Sequence, residues 1–213
     1  LRKKVDLVAF GESYLQGFNS LKWNFERDRT VAVSVDSQPI KMLRYTAKKY
    51  SVAVSFGYYE LCGEAIYSSY MFIGKNGEIV NNFRRVSKGW KEYDITDEHY
   101  KEGDGFKTFT YMGKRIALAV CGDLWYEENI EQINKEKFDF LLYPVYVTYN
   151  TEMWRTKLVN EYAEQAKKIP RPVFLVNSIC DADNTRGGCY AFLNGKTVCE
   201  VPMGQDGYLL VRV

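Results

Sequence analysis

The chain has 213 residues, 46% of them hydrophobic and 26% charged, which is enough for one domain with a sizeable core and ordinary for a soluble globular protein. Lys+Arg 29 against Asp+Glu 27 leaves a net charge of +2 with the signs interspersed, a balance that points to neither nucleic acid nor a membrane surface. No apolar stretch approaches the roughly 18 residues needed to cross a bilayer.

In chain order, Leu1–Lys4 reads as the end of a helix, with a further N-terminal strand expected before it. Val5–Phe10 is a short buried-type strand followed by Gly11 and Glu12. Over Ser37–Lys49, a Ser precedes Pro39 in the first turn, and Ile40, Leu43 and Ala47 recur at helical spacing, which predicts an amphipathic helix. Val52–Tyr59 reads as a strand. Ala65–Ile73 and Ile79–Val86 flank Gly74-Lys75-Asn76-Gly77, a hairpin signal. Phe106–Tyr111 and Arg115–Val120 flank Met112-Gly113-Lys114 in the same manner. Glu127–Lys135 reads as a helix, Phe138–Pro144 as a strand, and Thr151–Lys168 as a long helix stopped by Pro170. Val173–Asn177 is a strand, Tyr190–Leu193 and Thr197–Val201 pair across Asn194-Gly195, and Tyr208–Val211 reads as a last strand. Strands alternating with helices, mixed with hairpins, indicate an α/β protein of mixed strand direction. No linker or repeat divides the chain, so residues 1–213 read as a single domain.

Five cysteines (62, 121, 180, 189 and 199), an odd number without a Cys-x-x-Cys pair, argue against a disulfide framework and for a reducing, cytoplasmic setting. The single histidine, His99, and the lack of clustered ligands argue against zinc and against Cys-His or Ser-His-Asp chemistry. The apolar run Ile116–Val120 drives into Cys121, followed at once by Gly122 and Asp123. A thiol where a buried strand meets a turn suits a nucleophile; it also suits a packed structural cysteine. Two other strand ends carry reactive types: Glu12 after the first strand, and Arg84, Arg85, Lys88 and Lys91 in FRRVSKGWKE. Together they could divide the work, with Glu accepting the thiol proton, Cys attacking an electrophilic carbon and a cation stabilising the oxyanion.

These residues resemble the nitrilase superfamily of carbon–nitrogen hydrolases. GESYLQGF (11–18) resembles the motif around the family's glutamate, NFRRVSKGWKE (82–92) its lysine motif and CGDLWYEE (121–128) its cysteine motif. VNS (176–178) with GGCYAFLNGKTVCEVP (187–202) resembles its C-terminal segment. The resemblance implies an αββα sandwich that forms four layers on pairing, a Glu-Lys-Cys triad, no cofactor or metal, and a homodimer. Glu12 matches the base and Cys121 the nucleophile. An ungapped match puts Arg85 at the lysine, and a planar guanidinium is a poor mimic of a compact ammonium. Lys91 or Lys88 could supply the charge if the strand bulges at Gly89, and Lys91 is favoured by its spacing to Glu98. Glu98 resembles the second glutamate that braces the lysine; it also reads as a surface loop acid.

Other positions depart from the pattern. Trp125 and Glu127 replace the usual Arg and Pro after the cysteine. The helix over 151–168 offers Glu161, Tyr162 and Glu164 in place of the family's signature there. Cys62, Cys180, Cys189 and Cys199 read as packing residues. Tyr143, Tyr146 and Tyr149 could line a pocket or sit in the core. The expected activity is hydrolysis of a small non-peptide amide through a cysteine thioester. Nitrile or N-carbamoyl substrates, an inactive binding member of the same fold, and a redox-sensing thiol are the alternatives.

Overall fold

A computed structural model describes residues 5–181 and 184–213, so the reading of Leu1–Lys4 lies outside the described residues. The chain separates into two compact units, Leu1–Gly103 and Asp104–Val213, where the sequence shows no linker.

The first unit is a four-stranded sheet in the order β1 (Leu7–Ala9), β2 (Ala53–Cys62), β3 (Ala65–Ile73) and β4 (Ile79–Arg84). β1 runs parallel to β2 and the other pairs are antiparallel. Between β1 and β2 lie the short helix α1 (Phe25–Asp28) and the longer α2 (Gln38–Tyr50). Helix α2 starts after Ser37 with Pro39 in its first turn and ends at Ser51, whose backbone is left-handed. Its helical spacing does what the sequence predicts: Ile40 and Ala47 are buried against Phe56, Tyr58, Met71 and Ile73. A second cluster gathers Leu21, Phe25, Tyr59, Ile66, Trp90 and Tyr100.

The second unit is a six-stranded sheet built from β5 (Phe109–Tyr111), β6 (Lys114–Leu118), β7 (Phe140–Val145), β8 (Val173–Asn177), β11 (Cys189–Leu193) and β12 (Lys196–Val201). A two-residue hairpin, β9 (Ile179–Cys180) with β10 (Thr185–Arg186), stands beside it. The order is β12-β11-β8-β7-β6-β5, with β6, β7 and β8 parallel and the flanking pairs antiparallel. Asn194 and Gly195 both have positive φ, the conformation that an Asn-Gly hairpin turn requires.

Helix α3 (Glu127–Lys135) has the predicted bounds. The helix after β7 runs from α4 (Thr151–Met153) through a π-turn at Trp154–Leu158 into α5 (Val159–Lys167). Ile130 and Ile133 of α3 and Tyr162, Ala163 and Ala166 of α5 pack with Leu141, Tyr143, Val173, Leu175, Tyr190 and Phe192 of the sheet. One reading fails: Tyr208–Val211 forms no strand, because the sheet ends at β12 and the chain beyond Gly204 runs exposed with no ladder to join.

Two buried carboxylates organise the first unit. Asp28 accepts from the amides of Lys22 (2.9 Å) and Trp23 (2.8 Å), from Arg27 Nη1 (2.6 Å) and from the Tyr100 hydroxyl (2.8 Å). Glu60 takes a forked pair from Arg84 (Nε 3.0 Å, Nη2 2.8 Å) and the Ser69 hydroxyl (2.6 Å). Burial pushes both pKa values up, but the hydrogen bonds, joined at Glu60 by the Arg84 charge, outweigh it and hold Asp28 below its ordinary 3.8 and Glu60 below 4.5. A depressed folded pKa means that this contribution to stability is whole above those ordinary values. It is lost as the pH falls through the lower folded ones. Thermal melts in an acid series are expected to show a falling Tm over that window, with a shallower fall in Glu60→Gln; an equal slope would rule out this linkage.

Candidate active site

Glu12 is positioned by backbone contact with β2. The Phe10 amide donates to the Ser55 carbonyl (2.8 Å), the Gly57 amide to the Gly11 carbonyl (3.1 Å), and the Leu15 amide to the Gly57 carbonyl (3.1 Å), so residues 10–15 lie across the strand at Gly57. A Cβ at Gly57 would sit 2.3 Å from the Ser13 nitrogen and 2.7 Å from the Glu12 Cα, so this strand position takes glycine for a close backbone approach. An isolated glycine inside a strand pattern is the sequence signal that could have found it. Ser13 then turns the chain with φ +52.

The Glu12 side chain is 1% exposed, and the cation it meets is Arg85, itself 4% exposed, with Nη1 2.9 Å from Glu12 Oε1. The Ser68 hydroxyl reaches the same oxygen at 3.4 Å. Arg85 Nε donates to Ser87 Oγ (2.9 Å) and Nη2 to the Lys88 carbonyl (3.1 Å). Removing one partner of a buried pair typically costs about 3–5 kcal/mol, because the other charge is left uncompensated.

The structure brings Glu12 to Arg85 and not to Lys91. Past Arg84 the strand ends, and Gly89, with φ +88, turns the chain toward the aromatic cluster. There the Lys91 ammonium donates to the Tyr100 carbonyl, pairs with Glu102 (3.2 Å) and lies 4.9 Å from the Tyr93 ring centroid. The acid beside Lys91 is therefore Glu102, whereas Glu98 is exposed on the turn before Tyr100. Lys88 is exposed and contributes its carbonyl to Arg85. Of the three candidate cations, Arg85 is the one in contact with Glu12.

In the second unit, Cys121 follows the C-terminal end of β6, beside the ends of the parallel strands β7 and β8, where α/β sheets collect reactive groups. It is half-buried, opens the 3-10 turn Cys121–Trp125 and has φ +45. A left-handed backbone at a non-glycine residue costs about 1 kcal/mol or more and persists only where its surroundings impose it. Those surroundings are specific. The Tyr143 hydroxyl donates to the Cys121 carbonyl (2.6 Å), and Asp123 Oδ2 accepts from the Val120 amide (2.8 Å). Asn129 Nδ2 donates to the Asp123 carbonyl (3.1 Å). The thiol lies 4.0 Å from the Tyr146 carbonyl.

Asn177, at the end of β8, accepts from the Val147 amide (3.0 Å) and donates to the carbonyls of Val147 (3.2 Å) and Gly187 (2.9 Å), tying together the segments that follow β7 and β10. Tyr143 is thus a core residue with a task at the cysteine, while Tyr149 is exposed and stacked on Trp154. Burial raises the pKa of the Cys189 thiol, as expected for a packing cysteine.

The sequence pattern described as Carbon-nitrogen hydrolase matches residues 1–213. The chain belongs to the carbon–nitrogen hydrolase family. Among curated members, it is 28% identical over 140 residues to a bromoxynil-specific nitrilase of Klebsiella pneumoniae subsp. ozaenae, covering 62% of this chain and 38% of that protein. It is 22% identical over 185 residues to a cyanide hydratase of Gibberella zeae, covering 80% of this chain and 51% of that protein. The chain spans about half or less of the length of the curated relatives it matches. The described architecture is similar to a carbon–nitrogen hydrolase from Helicobacter pylori, with TM-score 0.70, 16% identity and coverage of 94% of this chain and 74% of that one. It is also similar to a mutant amidase of Nesterenkonia sp. that carries acrylamide added at its active site cysteine, with TM-score 0.68, 13% identity and coverage of 93% and 76%. The fold is therefore the α/β fold of the nitrilase superfamily. No helix among the described residues is long and apolar enough to cross a membrane.

Two substitutions test how the family's motifs are held. Gly57→Ala forces backbone apart and is expected to destabilise by about 1–3 kcal/mol in chemical unfolding; an unchanged midpoint would show that the Glu12 segment is not clamped. Tyr143→Phe is expected to cost about 0.5–1.5 kcal/mol by removing the hydrogen bond to the Cys121 carbonyl, and a loss within error would remove that role.

Proposed function

We propose that this carbon–nitrogen hydrolase family chain hydrolyses a small non-peptide amide, with Cys121 as nucleophile and Glu12 as proton acceptor. The observation that carries this reading is the strained, hydrogen-bonded turn that holds Cys121 at the C-terminal end of a parallel strand, within the family's cysteine motif. Relatives named nitrilase, cyanide hydratase and citrullinase, and structural neighbours named amidase, support carbon–nitrogen substrates as a class. Amide is preferred because the amidase neighbours cover nearly the whole chain; nitrile and carbamoyl groups yield to the same attack.

In the proposed cycle the Cys121 sulfur bonds to the carbonyl carbon as its proton passes to Glu12, and the Gly122 amide donates to the oxyanion. The C–N bond then breaks while Glu12 returns that proton to the departing nitrogen. Water, activated by Glu12, cleaves the thioester, releasing the acid and restoring the thiol. A thiol of ordinary pKa near 8.5 is mostly protonated at neutral pH, so the base is needed for attack.

Ammonia release from propionamide, glutaramate and propionitrile tests this assignment. Cys121→Ala is expected to lower release by about 10⁴-fold or more while leaving the Tm unchanged, and hydroxylamine should divert the wild-type reaction to a hydroxamate. Release retained by Cys121→Ala would end the nucleophile assignment.

A further inference from the structure

We infer that Arg85 is a positioning residue: it fixes the carboxylate of Glu12 and supplies a permanent counter-charge to it. The inference rests on Glu12 being the proton acceptor of the proposed reaction.

The geometry is that of a brace. Arg85 is anchored at its backbone from both sides, its amide donating to the Ser68 carbonyl (2.8 Å) and its carbonyl accepting from the Gly103 amide (2.8 Å). Its guanidinium donates in different directions, to Ser87 Oγ from Nε, to Glu12 Oε1 from Nη1 and to the Lys88 carbonyl from Nη2. Turning the fork would break these bonds, so its orientation is fixed on the acid. Arg85 and Ser68 both address Oε1, which sets the rotation of the carboxylate.

The chemistry of the side chain points the same way. An ammonium can give up a proton and swing on a flexible stem, whereas a guanidinium stays charged across the working pH range and presents its donors in one plane. The cation on Glu12 is therefore an electrostatic fixture and takes no part in proton transfer. The same fork joins the acid to the 86–88 segment through Ser87 and Lys88, so the placement of Glu12 and the path of that segment are coupled.

The test compares Arg85→Gln, which keeps a planar N–H donor but loses the charge, with Arg85→Lys, which keeps the charge but loses the fork, using ammonia release from propionamide. Arg85→Gln is expected to lose about a hundredfold in kcat with KM changed less than about threefold, the mark of an interaction that matters in the transition state. Arg85→Lys should retain kcat within about tenfold, with KM likewise little changed.

Equal kcat in the two variants, or a loss in Arg85→Gln that falls on KM instead of kcat, would overturn the inference while leaving Cys121 as nucleophile. Should Arg85→Gln fail to fold, Ser87→Ala releases one of the three bonds with the charge kept: a several-fold fall in kcat at unchanged Tm supports the brace, and unchanged kcat overturns it. If Cys121→Ala still releases ammonia, or the wild type releases none, the proposed reaction fails and the role of Arg85 in it falls with it.

Discussion

A carboxylate and a guanidinium, both almost wholly withdrawn from water, face each other in the first unit, and much else there is arranged to make that tolerable. An isolated buried carboxylate is costly, so Glu12 requires a fixed counter-charge and hydrogen bonds. The chain supplies them from distant positions: Arg85 from the end of β4 and Ser68 from β3. The absence of a side chain at Gly57 lets the Glu12 backbone lie against β2. Every one of these elements must be in register before the pair can form.

The second unit solves a different problem, that of holding a small side chain in an unfavourable conformation. Cys121 stands on a left-handed residue, and the bonds that impose this come from β7 through Tyr143 and from α3 through Asn129 and Asp123. Asn177 performs the related task of tying down the segments beyond β7 and β10. The strain is thus stored in a turn whose supports are rigid elements, the usual way of keeping a reactive group in one orientation.

Two cations of this unit meet different partners: the Arg85 guanidinium lies on Glu12, and the ammonium of Lys91 joins a neighbouring cluster with Glu102, Tyr93 and Tyr100. The Glu60–Arg84 and Asp28 networks show the same preference in this unit for buried carboxylates enclosed by donors.

The sequence alone determined the element order and set Glu12 and Cys121 within motifs that resemble the family's. Alternation, Asn-Gly turns and the Pro39 helix start are local signals, and Glu12 and Cys121 each sit inside a contiguous motif; local signals survive being read one segment at a time. It could not determine that Tyr208–Val211 stays unpaired, because pairing depends on a neighbouring strand and not on the segment's own pattern. Nor could it select among Arg85, Lys88 and Lys91, which lie within seven residues and carry the same charge. Only the tertiary structure decided that choice: the turn at Gly89 and the contacts of Gly57, Ser68, Ser87 and Tyr100 set which cation meets the buried acid, and burial makes that placement, rather than charge alone, the deciding quantity.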